Sequence, residues 1–232
     1  MFSREGSARS ERQNRVVAGY LAFVGGFVNS AGFVLVGAFT SHVTGNVGRL
    51  ADALPQRATS TVVEAASLVL AFFVGAMTVG AIVESAAFSR RSLAYAAALA
   101  VEAILLAGFV TSPLLPGGRW AAHLAPLLLG LAMGVQNGLV TRLSGAVVRT
   151  THLTGVITDL GIEAARWLRF WRRRTSERPR GPKLVLLLLI AGGFASGAVA
   201  GAFAAVAAGY AAMMLPVIAV GACAFYAARG GR

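Results

Sequence analysis

Apolar positions fall into six long blocks: Val16–Phe39, Ala65–Val83, Leu93–Val110, Leu124–Val140, Leu184–Ala205 and Ala207–Ala227. Most approach the roughly 20 residues that a helix needs to cross about 30 Å of hydrocarbon. The pattern predicts an all-α membrane protein with six transmembrane helices. The first block is too long for the core of a signal peptide, and five more follow it, so it reads as a span.

A polar block interrupts this pattern twice, as Thr40-Ser41-His42-Val43-Thr44-Gly45 and Thr150-Thr151-His152-Leu153-Thr154-Gly155. Each copy follows the same landmarks, Gly26, Asn29, Gly37 and Ala38 in the first half and Gly134, Asn137, Gly145 and Ala146 in the second. The halves therefore read as two membrane repeats, residues 15–112 and 113–228, after a polar Arg/Ser-rich tail over 1–14 that is expected to be disordered. Three spans per repeat is an odd number, so the second repeat starts from the opposite side. That parity predicts an inverted-topology pair, an architecture shared by many secondary transporters with midplane sites at the repeat interface.

Charge sets the orientation. The net charge is +12, yet charged residues make up only 13% of the chain. Basic residues collect at Arg4, Arg9, Arg12 and Arg15, at Arg90-Arg91, and from Arg166 to Lys183. With the N-terminus inside, all three clusters and Arg229 and Arg232 face the cytoplasm, leaving Arg49, Arg57 and Arg119 outside. Positive residues concentrate on the inner side of membrane proteins, so this orientation, with both termini cytoplasmic, is expected. The charge then reports topology and contact with anionic lipid, not a nucleic-acid groove. Val156–Arg174 has an amphipathic period, with Val156, Ile157, Leu160, Ala164, Trp167, Leu168 and Trp171 on one face. Arg166, Arg169, Arg172 and Arg173 lie on the other, which suits a helix resting among headgroups. Thr175 to Pro182 reads as a linker. Mean hydropathy is +0.70, and the 28 glycines include a Gly197-x-x-x-Gly201 stripe that favours close packing within a bundle over a dedicated dimer face.

Polar groups at membrane depth are costly and are functional candidates for that reason. Glu102 lies near the middle of its block among alanines and aliphatics, so it is expected to be protonated, bonded across helices, or beside a wet cavity. Ion or proton coupling and a structural bond carry equal weight there. The two His-x-Thr-Gly segments favour unwound or re-entrant backbone after spans 1 and 4, tolerated only where protein or water satisfies it. Thr44, Asn46, Thr151 and Thr154 would offer side-chain ligands there, Gly45 and Gly155 exposed backbone, and His42 and His152 a proton site near neutral pH. The simpler alternative makes Thr44 and Thr154 N-caps of the next helix. Asn29, Gln136 and Asn137 either bond across helices or face a solute path. Asp159 and Glu163 balance Arg166 and the helix N-terminus rather than act as catalytic acids, and Asp159 joins the motif residues as a candidate on the solute path. The single cysteine, Cys223, excludes an internal disulfide, and no cofactor is expected.

Around these motifs the chain resembles the YoaK-type family of bacterial integral membrane proteins, defined as a domain of unknown function. The resemblance is carried by Ala22-Phe23, Gly26, Asn29, Gly37, His42 to Asn46, Met133 to Asn137, Arg149 to Gly155 and Asp159. It implies a six-span inner-membrane protein without an established activity; at Asn29 many relatives are expected to be acidic. The first functional expectation is a small secondary transporter or channel for a small solute or ion, with a homodimer as one way to enlarge its vestibule. A scaffold or sensor whose basic helix binds a partner is the alternative. An intramembrane enzyme using His42 or His152 finds least support, since no Gly-x-Ser-x-Gly, His-Glu-x-x-His or Asp-rich diphosphate motif is present.

Overall fold

The computed structural model describes residues 5–6, 9–85, 87–88, 90–116, 119–148, 150–173, 175, 179 and 181–230. Arg4, Arg149, Arg174, Arg178, Arg180 and Arg232, half of the expected linker and the side chain of Arg119 lie outside them. All regular structure among the described residues is helical.

Helix α1 covers Glu11–Val36. Ser10 starts it with a capping box: its hydroxyl accepts from the Gln13 amide, and the Gln13 side chain accepts from the Ser10 amide. The helix thus begins inside the stretch expected to be a tail. It ends because Gly37 adopts a left-handed φ of 69°, which lets its amide bond back to the Phe33 carbonyl. Helix α5, Arg119–Ser144, ends the same way, with Gly145 at φ 61° and the Ala146 amide donating to the Thr141 carbonyl. The repeated Gly-Ala landmark is therefore a stop signal.

After each stop, a short non-helical segment leads into another helix: α2 (Val43–Ala53) in the first half and α6 (Leu153–Trp171) in the second. Two long helices follow in each half, α3 (Thr59–Glu84) and α4 (Arg91–Thr111), then α7 (Gly181–Ala208) and α8 (Met214–Arg229). The last two expected spans form one helical run, Gly181–Arg229, so five runs are long and apolar enough to cross a membrane. At 49 residues that run would extend about 74 Å if straight, more than twice the bilayer core. It is broken at Gly209, which takes φ +58° and opens a 3₁₀ turn over Gly209–Met213.

The core sits on α1, α4 and α5, where Leu21, Leu99, Leu106, Leu129, Met133 and Leu139 are fully enclosed. In their most apolar windows α1 and α5 are 56% and 61% buried, whereas α3 is 22% buried, so α1 and α5 are the central pair. The outward faces of α3 and α7 expose Leu70, Phe73 and Met77, and Val199, Phe203 and Val206. A continuous apolar surface of this kind is stable facing lipid, not water.

Glycines set the helix pairs. On α1 against α7, a Cβ on Gly26 would overlap the Phe194 carbonyl, and one on Gly197 would overlap the Phe23 carbonyl. On α5 against α3, Gly134 meets the Phe72 carbonyl and Gly75 the Leu131 carbonyl in the same way. Gly201 closes on the Phe27 carbonyl, so the Gly197-x-x-x-Gly201 stripe is occupied by α1 within the same chain.

Candidate functional site

The segments after α1 and α5 bring the repeated polar residues against the central helices. Ser41 donates its hydroxyl to Oδ1 of Asn29 at 2.8 Å, and Thr151 donates to Oδ1 of Asn137 at 2.8 Å. Each contact anchors a loop hydroxyl to an amide on the preceding helix at the equivalent position of its half. The Nδ2 of Asn137 is held by the Met133 carbonyl at 2.8 Å, so its oxygen stays aimed at the loop. Thr40 and Thr150, the residues before each donor, are both buried with hydroxyls that find no hydrogen-bond partner among the described residues. Thr40, Ser41 and Thr150 are thus buried and Thr151 half-buried, whereas His42 and His152 beside them are exposed.

Gln136 joins the two central helices directly. Its Nε2 donates to the Leu21 carbonyl at 2.7 Å while its Oε1 has no partner among the described residues. Gly25 makes room for this side chain: a Cβ there would lie 3.0 Å from Nε2 and 3.3 Å from the Thr151 methyl. Gln136, Asn137 and Thr151 thus form one group where α1, α5 and the second loop converge.

The histidines differ. Both occupy the N-cap positions of α2 and α6, and neither caps with its side chain. Thr44 and Thr154 lie in the first turns and are exposed, so the expectation that they are N-caps is corrected. Val43 and Leu153 begin the helical dihedrals, which places the cap one residue before them. The His42 ring folds over Gly45, so that a Cβ there would displace it, and stands edge-on to Phe39 at 6.4 Å. At Gly155 the equivalent space is open. Asn46 is buried and donates to the Phe39 carbonyl at 3.1 Å, tying the first turn of α2 to its own loop.

Each turn opens on a cavity. One of about 360 Å³ is lined by His42, Gly45, Asn46 and Arg49, and adjoins one of about 590 Å³ with Glu64, Ser67 and His123. The other, about 830 Å³, is lined by Asn137 and His152 at the turn and by Glu5, Glu84 and Arg142. Ion pairs flank both: Arg49 with Glu64 at 3.8 Å, and Arg142 with Glu84 at 3.3 Å. Sequence reasoning missed Ser41 as a loop anchor and both acidic residues of α3, because their partners come from elsewhere in the chain.

Two expected site residues lie apart from this arrangement. Asp159 faces Lys183 at 3.9 Å, and the buried Glu163 binds Lys183 at 3.1 Å and Arg166 at 2.9 Å. These contacts dock α6 on α7. Glu102 is fully enclosed in α4 and is grouped with neither turn.

Comparison with known proteins also points to a membrane protein. The chain is 28% identical over 142 residues to the UPF0700 transmembrane protein YoaK of Bacillus subtilis (strain 168), covering 60% of this chain and 62% of that protein. The aligned stretch therefore spans less than two thirds of that relative. No solved structure matches. Residues 17–226, nearly the whole helical body and both motif turns, match the family described as Protein of unknown function (DUF1275), and this multi-pass membrane protein belongs to that family.

Proposed function

We propose that this protein is a small secondary transporter or channel of the bacterial inner membrane, with six spans in two inverted three-span repeats and both termini cytoplasmic. The observation that carries the reading is the recurrence of one anchored turn, hydroxyl to buried asparagine, at the wall of a cavity in each half. The exchange of helix partners supports it: central α1 packs on α7 of the other half, and central α5 packs on α3. In an inverted repeat the two cavities open toward opposite sides, so a solute passes between the turns when one half rocks against the other. The pathway comprises Asn29, His42, Thr44, Gly45, Asn46, Gln136, Asn137, Thr151, His152, Thr154 and Gly155. Helix α6, with Arg166, Arg169, Arg172 and Arg173 all exposed, rests on anionic headgroups at the cytoplasmic face.

The test is flux into liposomes containing the purified protein, using labelled amino acids, organic cations and organic anions together with Na⁺, K⁺ and Cl⁻. Uptake above empty liposomes is expected, falling at least tenfold in Asn137→Leu and His152→Ala. Flux that survives unchanged in both variants rejects this path.

A further inference from the structure

Glu102 occupies the middle of α4, with about 17 Å of helix before it and about 14 Å after it. Its carboxyl is wholly enclosed, and neither oxygen has a hydrogen-bond partner among the described residues. The neighbours along its own helix are apolar: Ala98, Leu99 and Leu106 are buried with it. A carboxylate in such surroundings would be far too costly, so the group is neutral. A neutral carboxyl still carries a donor and acceptors. Had this residue served as a fixed bond between helices, those groups would be matched by a partner, and none is placed there.

Helix α4 packs against α8 and α5, and more lightly against α3. Tyr20 on α1 and Cys223 on α8 both lie within electrostatic reach of Glu102 and of each other. The Tyr20 hydroxyl, on a partly exposed side chain, donates to the Ala219 carbonyl of α8 at 2.9 Å, joining α1 to α8. Other titratable groups are directed elsewhere. Tyr210 stacks on Phe109 at 4.9 Å nearer the end of α4, and Arg142 of α5 pairs with Glu84 of α3. A hydroxyl and a thiol do not make the oxygen shell, roughly six ligands, that a hard metal cation requires. A proton needs only the carboxyl.

We propose that Glu102 is an occluded proton-binding site, loaded in the state described here and exchanging its proton when the Tyr20–Ala219 contact opens. Its use in coupling rests on the transport reading above; its existence does not. Tyr20 acts as a positioning residue, holding α1 and α8 together over a site it does not itself ligate. The proton leaves for water admitted in the open state, and the carboxylate is stable only there.

Infrared spectra of the protein in lipid between pH 5 and 9 test this directly. A neutral-carboxyl C=O band is expected at pH 7 in the wild type and missing in Glu102→Gln. On transfer to D₂O the band should shift slowly, and at least tenfold faster in Tyr20→Phe. If Glu102→Gln fails to fold, Glu102→Asp should keep a displaced band. Identical spectra for wild type and Glu102→Gln overturn the proposal, as does a band that never exchanges even in Tyr20→Phe. Failure of the transport reading shows separately, as absent flux with the band and its exchange intact.

Discussion

At Gly26, Gly134 and Gly197 the obstacle to a methyl group is a backbone carbonyl, which cannot rotate away. Gly80, also within a long helix, has open space around it. Gly26→Ala and Gly134→Ala should each therefore lose about 1–3 kcal/mol from overpacking, despite alanine's better helix propensity. Gly80→Ala should be neutral or slightly stabilising, and thermal unfolding in detergent reads all three. Thr151→Val removes the hydroxyl from Asn137 while keeping its shape. It should cost about 1–3 kcal/mol in the same assay, because the buried amide oxygen is left without its donor. At this scale the sequence was informative about which residues matter, since both asparagines and both glycine stops stood out by repetition. It was silent on how they act. Ser41 and Thr151 are unremarkable hydroxyls until the loop folds back on its helix, and identical Thr-Gly strings gave one glycine covered by its histidine and one left open.

Helices α2 and α6 show where periodicity succeeds and stops. The amphipathic pattern marked α6 within three residues at each end, against Val156–Arg174 expected. Its apolar face is nevertheless mostly uncovered: Ile157, Leu168 and Trp171 are exposed, and the buried members of the helix are Val156 and Glu163. A buried glutamate on a surface helix follows from Lys183, which lies beyond the linker and so was not visible from local spacing. Glu163→Ala should undock α6 from α7, leaving Lys183 and Arg166 without their shared partner. The expected result is faster amide hydrogen exchange throughout α6, with the α1–α7 pair unchanged. Equal exchange in α6 and α7 after the substitution would place the docking elsewhere.

For the molecule as a whole, the number of crossings turns on the break at Gly209. In a Cys223→Ala background, cysteines at Arg57 and Ala211 should react with an impermeant maleimide from outside intact cells. Cysteines at Arg172 and Arg229 should react only after the inner face is opened. An Ala211 cysteine accessible only from inside would reduce the Gly181–Arg229 run to something other than two crossings. Hydropathy alone separated these two spans because residues around Ala207 fit the end of a bilayer-length block. The structure adds that only a left-handed glycine and a 3₁₀ turn separate the two helices, a near-continuity that no apolar count detects. Which long helix sits centrally was also hidden, because α3 is more apolar than α1, yet α1 is the more enclosed.

The tightest contacts between the halves have one glycine side and one anonymous side. Gly26 touches the carbonyl of residue 194, and that carbonyl would be there whatever side chain residue 194 carried. Selection can therefore hold the glycine fixed while its partner drifts freely. Methods that infer proximity from correlated substitution would pass over these pairs, and would register looser contacts, where two side chains meet, in their place.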